Sequence, residues 1–173
     1  MGTVFNYEGI AKRTPADLQA FERAASIIDV HPNWLGAVFQ LESGWNPAAV
    51  NPQSGASGLI QFMPKGSALA LGTTAEALRR MSFQEQLPYV IRYFGEKAGL
   101  GSLEDTYLKV FYPSMIGRPL ETVISKAGEK VYEQNRLFDN PPKGYITVGD
   151  VTSTIRAVYN RGKARGEVTI PLA

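Results

Sequence analysis

Leu41-Glu42-Ser43-Gly44-Trp45-Asn46-Pro47-Ala48-Ala49-Val50-Asn51-Pro52-Gln53-Ser54-Gly55-Ala56-Ser57-Gly58-Leu59-Ile60-Gln61-Phe62-Met63-Pro64 is the stretch on which the reading of this chain turns. A lone carboxylate, Glu42, closes an apolar segment with helical spacing: Leu35, Val38, Phe39 and Glu42 stand at i, i+3, i+4 and i+7. Trp34, Ala37 and Leu41 make the neighbouring faces apolar too, so the helix is expected to be buried almost all round. Glu42 thus takes the slot where a fourth apolar side chain belongs. Burial disfavours its charged form, and the negative end of the helix dipole acts in the same direction. The expectation is a carboxyl that keeps its proton near neutrality and can serve as a general acid. The ordinary alternative is a helix-terminal Glu that reaches into solvent.

The residues after Glu42 weigh against that alternative. Ser43-Gly44-Trp45-Asn46-Pro47 breaks the helix at once, and Gln53-Ser54-Gly55-Ala56-Ser57-Gly58 lets backbone approach a ligand closely. Gln61 then lies between apolar Ile60 and Phe62, where its amide must find a partner. A solvated connection, with Gln61 pinning its own loop, is the plainer reading of the same residues.

Outward from this stretch, helix-start signals recur. Thr14-Pro15-Ala16-Asp17 opens a segment carrying Leu18, Phe21, Ala25 and Ile28, and Pro32 suits the first turn of the helix that ends near Ser43. Thr73 with Glu76, Ser82 with Glu85, Ser102 with Asp105 and Thr147 with Asp150 fit the capping-box pattern or its aspartate form. Phe83, Leu87, Val90, Ile91, Phe94 and Ala98 form one apolar stripe, kinked mildly at Pro88 and ended by Gly99-Leu100-Gly101. Period-2 strands are scarce. The chain reads as mainly α, with about seven or eight helices and at most a small irregular β element near residues 50–62. The pattern weakens around Gly128 to Pro142, so residues 1–130 read as the body and 131–173 as a helical extension packed on the same domain.

Composition bounds the function. A chain of 173 residues can bury a core without staples, and 44% hydrophobic content marks it as globular. There is no cysteine and one histidine, so neither a disulfide framework nor a multi-His metal site is available. The 18 basic and 16 acidic side chains leave a net charge of +2, too small to argue for nucleic acid. No apolar run approaches the roughly 18–20 residues of a membrane span. Asp139 to Asp150 has the skeleton of a calcium loop, but Pro141 and Lys143 stand where oxygen ligands belong, so no metal is expected. His31 reads as a capping or surface residue. Lys143, Arg156, Arg161, Lys163 and Arg165 read as a solvated basic tail.

Glu42-Ser43-x-Trp45-Asn46-Pro47-x-Ala49, followed by Gly55-Ala56-Ser57-Gly58-Leu59-Ile60-Gln61-x-Met63-Pro64, resembles the paired signature motifs of the soluble lytic transglycosylases, lysozyme-like enzymes that cut bacterial peptidoglycan. The resemblance extends more loosely from about Asp29 to Gly117. It implies a lysozyme-like fold, with Glu42 as the catalytic acid/base and Ser43 as its support. Ser43, Ser57, Gly58, Gln61 and Met63 would form the substrate-binding set. It further implies glycan strands as the partner and no cofactor. Ile60 in place of the commoner methionine conserves volume. The family's later tyrosine motif is altered. Tyr159-Asn160-Arg161-Gly162 copies its letters but lies too far along the chain. Val110-Phe111-Tyr112-Pro113 falls near the usual interval, so Tyr112 is taken as the tyrosine that approaches the acid, with Pro113 replacing an asparagine.

Most glycoside hydrolases use two carboxylates, whereas no Asp or Glu occurs between Glu42 and Glu76. One acid suits a substrate that supplies its own nucleophile, closing a 1,6-anhydromuramyl ring. A hydrolytic muramidase using water, and a non-catalytic glycan-binding or structural virion protein, are the alternatives. The N-terminal residues lack a secretory pattern. A wall-active monomer without one suits delivery by a bacteriophage, as an endolysin or virion component, or a chain trimmed of its leader.

Overall fold

Thr14 starts the first long helix. Its hydroxyl accepts from the Asp17 N–H and the Asp17 carboxylate accepts from the Thr14 N–H, both at 3.1 Å, which closes a capping box ahead of α1 (Pro15–Ile28). His31 caps α2 (Pro32–Ser43), its Nδ1 accepting from the Asn33 N–H at 3.1 Å. The computed structural model describes residues 2–172. Among them are seven α-helices and two small two-stranded sheets, the mainly helical, lysozyme-like architecture expected. No described helix is long and apolar enough to cross a membrane.

The remaining helices follow the capping signals with two adjustments. Thr74, not Thr73, caps α3 (Ala75–Arg80), its hydroxyl accepting from the Ala77 N–H at 3.0 Å. Ser82 and Glu85 close the box that opens α4 (Phe83–Phe94). This helix runs through Pro88 but stops at Gly95, before the expected end beyond Ala98. Gly95 has φ +90, and the Lys97 and Ala98 N–H groups turn away to the carbonyls of Ile27 and Ile28, at 3.0 and 2.8 Å. Backbone bonding to the end of α1 therefore wins over continued helical periodicity. α5 spans Leu103–Phe111, α6 Lys130–Asn135 and α7 Val148–Ala164.

Two core clusters hold these elements. The larger joins Phe21, Leu35, Phe39, Trp45, Leu59, Phe83 and Val90 with Ile155, Val158 and Ile170. The smaller gathers Leu108, Tyr132, Ile146, Val148 and Val151. α7 packs along α2 and α5, so the C-terminal segment belongs to both cores. β1 (Thr3–Phe5) pairs antiparallel with β4 (Glu167–Thr169), Val4 opposite Val168. β2 (Val123–Lys126) pairs with β3 (Tyr145–Thr147) around a bulge. The β element foreseen near residues 50–62 is a pair of isolated bridges, Ser57 opposite Val50 and Phe62.

In the loop before α7, the Asp139 carboxylate accepts from the Tyr132 hydroxyl at 2.6 Å and from the Lys143 and Gly144 N–H groups at 2.9 Å each. The Tyr132 bond, ahead of the two backbone bonds, holds that carboxyl down at about 2. The Lys143 ammonium lies between Asp139 and Asp150, at 3.2 and 2.9 Å, where the calcium-loop skeleton would place a cation.

Candidate active site

Trp45 fixes the end of the helix that carries Glu42. It is fully buried at φ +62, its ring stacks on Phe83 with centroids 6.0 Å apart, and its indole N–H donates to the Gly36 carbonyl at 3.1 Å. The Gly44 and Trp45 N–H groups close on the carbonyls of Gln40 and Phe39, which stops α2 one turn after Phe39. The last turn is held against fraying, which fixes the backbone from which Glu42 projects.

The loop beyond is tied down from beneath. The Ser43 hydroxyl lies 3.1 Å from the Phe39 carbonyl and 2.9 Å from the Leu59 carbonyl, joining the helix end to the loop. Ser57 is fully buried; its hydroxyl donates to the Gly55 carbonyl at 2.9 Å and accepts from Arg79 at 2.8 Å. Gln86 is the hub. Its Oε1 accepts from the Leu59 N–H at 2.6 Å, and its Nε2 donates to the carbonyls of Pro47 and Leu78 at 2.9 and 2.8 Å. Gly58 sits against that amide at φ +83, where a Cβ would come within 2.5 Å of the Gln86 Oε1.

Above this foundation lies a cleft of about 740 Å³. Glu42, Gln61 and Met63 face it, with Asn51, Ser54 and Ala56 from the loop, Val110 and Phe111 from α5, and Gln134 and Asn135 from α6. Gln61, at φ +55, donates from Nε2 to the Gly58 carbonyl at 3.1 Å, which turns its side chain along the rim. Ser43, Ser57 and Gly58, expected to touch substrate, instead stand behind the wall and shape it. Tyr112 does not reach the cleft. It follows the last turn of α5 and packs with the smaller core cluster around Leu108.

Glu42 is the one ionisable side chain lining the cleft among the described residues, and none of their donors bonds its carboxyl. Burial raises that carboxyl from an ordinary 4.5 to about 7. Burial is the cause of this rise, without a contribution from a neighbouring charge. Two phenols feel its charge. Tyr107 and Tyr93 are both pushed up, first by burial and then by Glu42. Tyr93 donates to the Lys109 carbonyl at 2.8 Å, and Tyr107 stacks on Phe111 with centroids 5.5 Å apart.

Gln86, Arg79, Tyr93, Tyr107, Gln134 and Asn135 are absent from the sequence reading of the site. Only Gln86 left a signal, a polar residue inside the apolar stripe of Phe83, Leu87 and Val90.

A family model described as the transglycosylase SLT domain matches residues 19–79, which covers most of α1, all of α2, the signature loop and nearly all of α3. No curated protein and no solved structure matches the chain. Residues 19–79, about a third of the chain, thus match a transglycosylase SLT domain, and the mainly helical architecture is the lysozyme-like one that this match implies.

Proposed function

We propose that the protein is a peptidoglycan lytic transglycosylase working with a single general acid/base, Glu42. The observation that carries this reading is one carboxyl raised to about 7 in a cleft that offers no second carboxylate among the described residues. A proton held near neutrality can pass to the glycosidic oxygen between N-acetylmuramic acid and N-acetylglucosamine. As the C1–O bond breaks, the substrate's 2-acetamido group stabilises the positive charge on the anomeric carbon. Glu42, now ionised, takes the proton of the muramyl 6-hydroxyl, and O6 bonds to C1. The product is a 1,6-anhydromuramyl end, and the acid is restored. An intramolecular nucleophile has a large proximity advantage over water. Gln61 and Met63 contact the strand from the loop side. Tyr107 and Tyr93 are the phenols placed to respond to the changing charge of Glu42.

Mass spectrometry of digested, purified peptidoglycan tests the reaction. Muropeptides one water lighter than the reducing form are expected, and a Glu42→Gln variant loses activity by roughly 100- to 10,000-fold. Reducing ends alone would assign hydrolysis instead, and undiminished clearing by the variant would remove Glu42 from the chemistry.

A further inference from the structure

We propose that the cleft continues past α6 into a second cavity that binds a more distant stretch of the same glycan strand, an inference that rests on the glycan substrate proposed above. The second cavity, of about 700 Å³, shares Gln134 and Asn135 with the first, so the same two residues of α6 border both. Each cavity alone has the size of a pocket that holds one small organic ligand.

The chemistry of the second cavity suits an uncharged pyranose. Its two charged residues are spoken for inside the protein. Asp150 is held by the Thr147 N–H and hydroxyl and by Lys143, at 2.7, 2.8 and 2.9 Å. Arg156 is held by Thr152, the Gly149 carbonyl and Glu104, at 2.7, 2.8 and 3.3 Å. What is left for a ligand is the Gln134 and Asn140 amides, and the acceptor sides of Asn135, Ser153 and Thr154, which donate to the Val131, Asp150 and Val151 carbonyls, beside Phe138 and Leu137, the latter 93% exposed. Hydrogen-bonding groups next to an apolar face match a sugar ring, whose hydroxyls circle its edge and whose C–H groups cover its faces. All of these residues lie outside the stretch matched by the family model.

The test uses the Glu42→Gln variant of the full chain, so that binding is read without turnover. Calorimetry compares an N-acetylglucosamine hexamer with the dimer. The hexamer is expected to bind at least about tenfold more tightly. Adding Ser153→Trp, which fills the second cavity, is expected to erase that advantage. Leu137→Ser, on an exposed side chain that folding does not need, should reduce it in the same direction. Equal affinity for the two oligomers, or an advantage untouched by both substitutions, overturns the proposal. So does a Ser153→Trp penalty confined to strands that still carry stem peptides, because the cavity would then belong to the peptide. Turnover of peptidoglycan by the unmodified protein is scored separately. Its failure would strike the proposed reaction while leaving the length comparison standing.

Discussion

Glu42 and Gln86 carry opposite kinds of information. Glu42 is an acid whose cost of burial is left uncompensated, because none of the described donors meets it. With its carboxyl at about 7, the rate of a reaction that needs its proton should decline as pH rises through that value, a limb readable in kcat/KM against pH. Gln86 is the reverse, an amide with every bond made. Gln86→Leu would strand the Leu59 N–H and the Pro47 carbonyl in the interior, while the Leu78 carbonyl keeps the Met81 N–H, at about 1–3 kcal/mol for each group left unpaired. Urea unfolding should register that loss, and activity should fall with it because the Gly58–Gln61 wall loses its anchor. A variant as stable and active as the parent would show that the loop is held elsewhere. The position of the acid was legible from helical spacing together with the Gly/Ser/Asn/Pro-rich loop that follows it. The tyrosine was not. Tyr112 lies just past the end of α5, with φ −155, and its ring packs on the smaller core. Tyr107 shares the face of Phe111 instead. Interval along the chain pointed to Tyr112, whereas Val110 and Phe111 are the α5 residues that line the cleft.

Among the elements, α2 and the loop behind it depend on a single indole. Trp45 meets Phe21, Phe39 and Phe83 with centroids 4.7 to 6.0 Å apart and also bonds the Gly36 carbonyl. Trp45→Ala is expected to cost about 3–5 kcal/mol, seen as a lower denaturant midpoint. It should also make the last turn of α2 exchange its amide hydrogens faster, since the cap loses its packing. Helix starts were legible because Thr14, Ser82 and Thr147 carry their capping partners in the local sequence. Ends were less so. α4 stops at Gly95 because Lys97 and Ala98 bond to α1, a non-local choice that no periodicity encodes. The four short strands were missed for the same reason. Three- and four-residue strands take their partners from far along the chain, as β1 does from β4.

At the level of the whole molecule, the buried acid ties folding to pH. Its carboxyl has a higher pKa folded than unfolded, so it favours the native state fully below about 4.5 and progressively less as pH rises towards about 7. Unfolding releases a proton across that window. Glu42→Gln removes the effect, and the variant should therefore gain on the parent by up to roughly 3 kcal/mol between about pH 4 and about pH 8. Paired denaturant titrations at the two pH values measure it, and a constant difference would mean that Glu42 is well solvated.

The antiparallel β1–β4 pair has a mechanical consequence. Thr3 faces Thr169 and the Ile170 N–H donates to the Gly2 carbonyl at 2.9 Å, so both chain ends leave from the same edge of the sheet. Tension applied across those ends would unzip the ladder rung by rung rather than shear it, starting at the outermost bond. Whatever is tethered at the two ends could thus peel this ribbon open under low load.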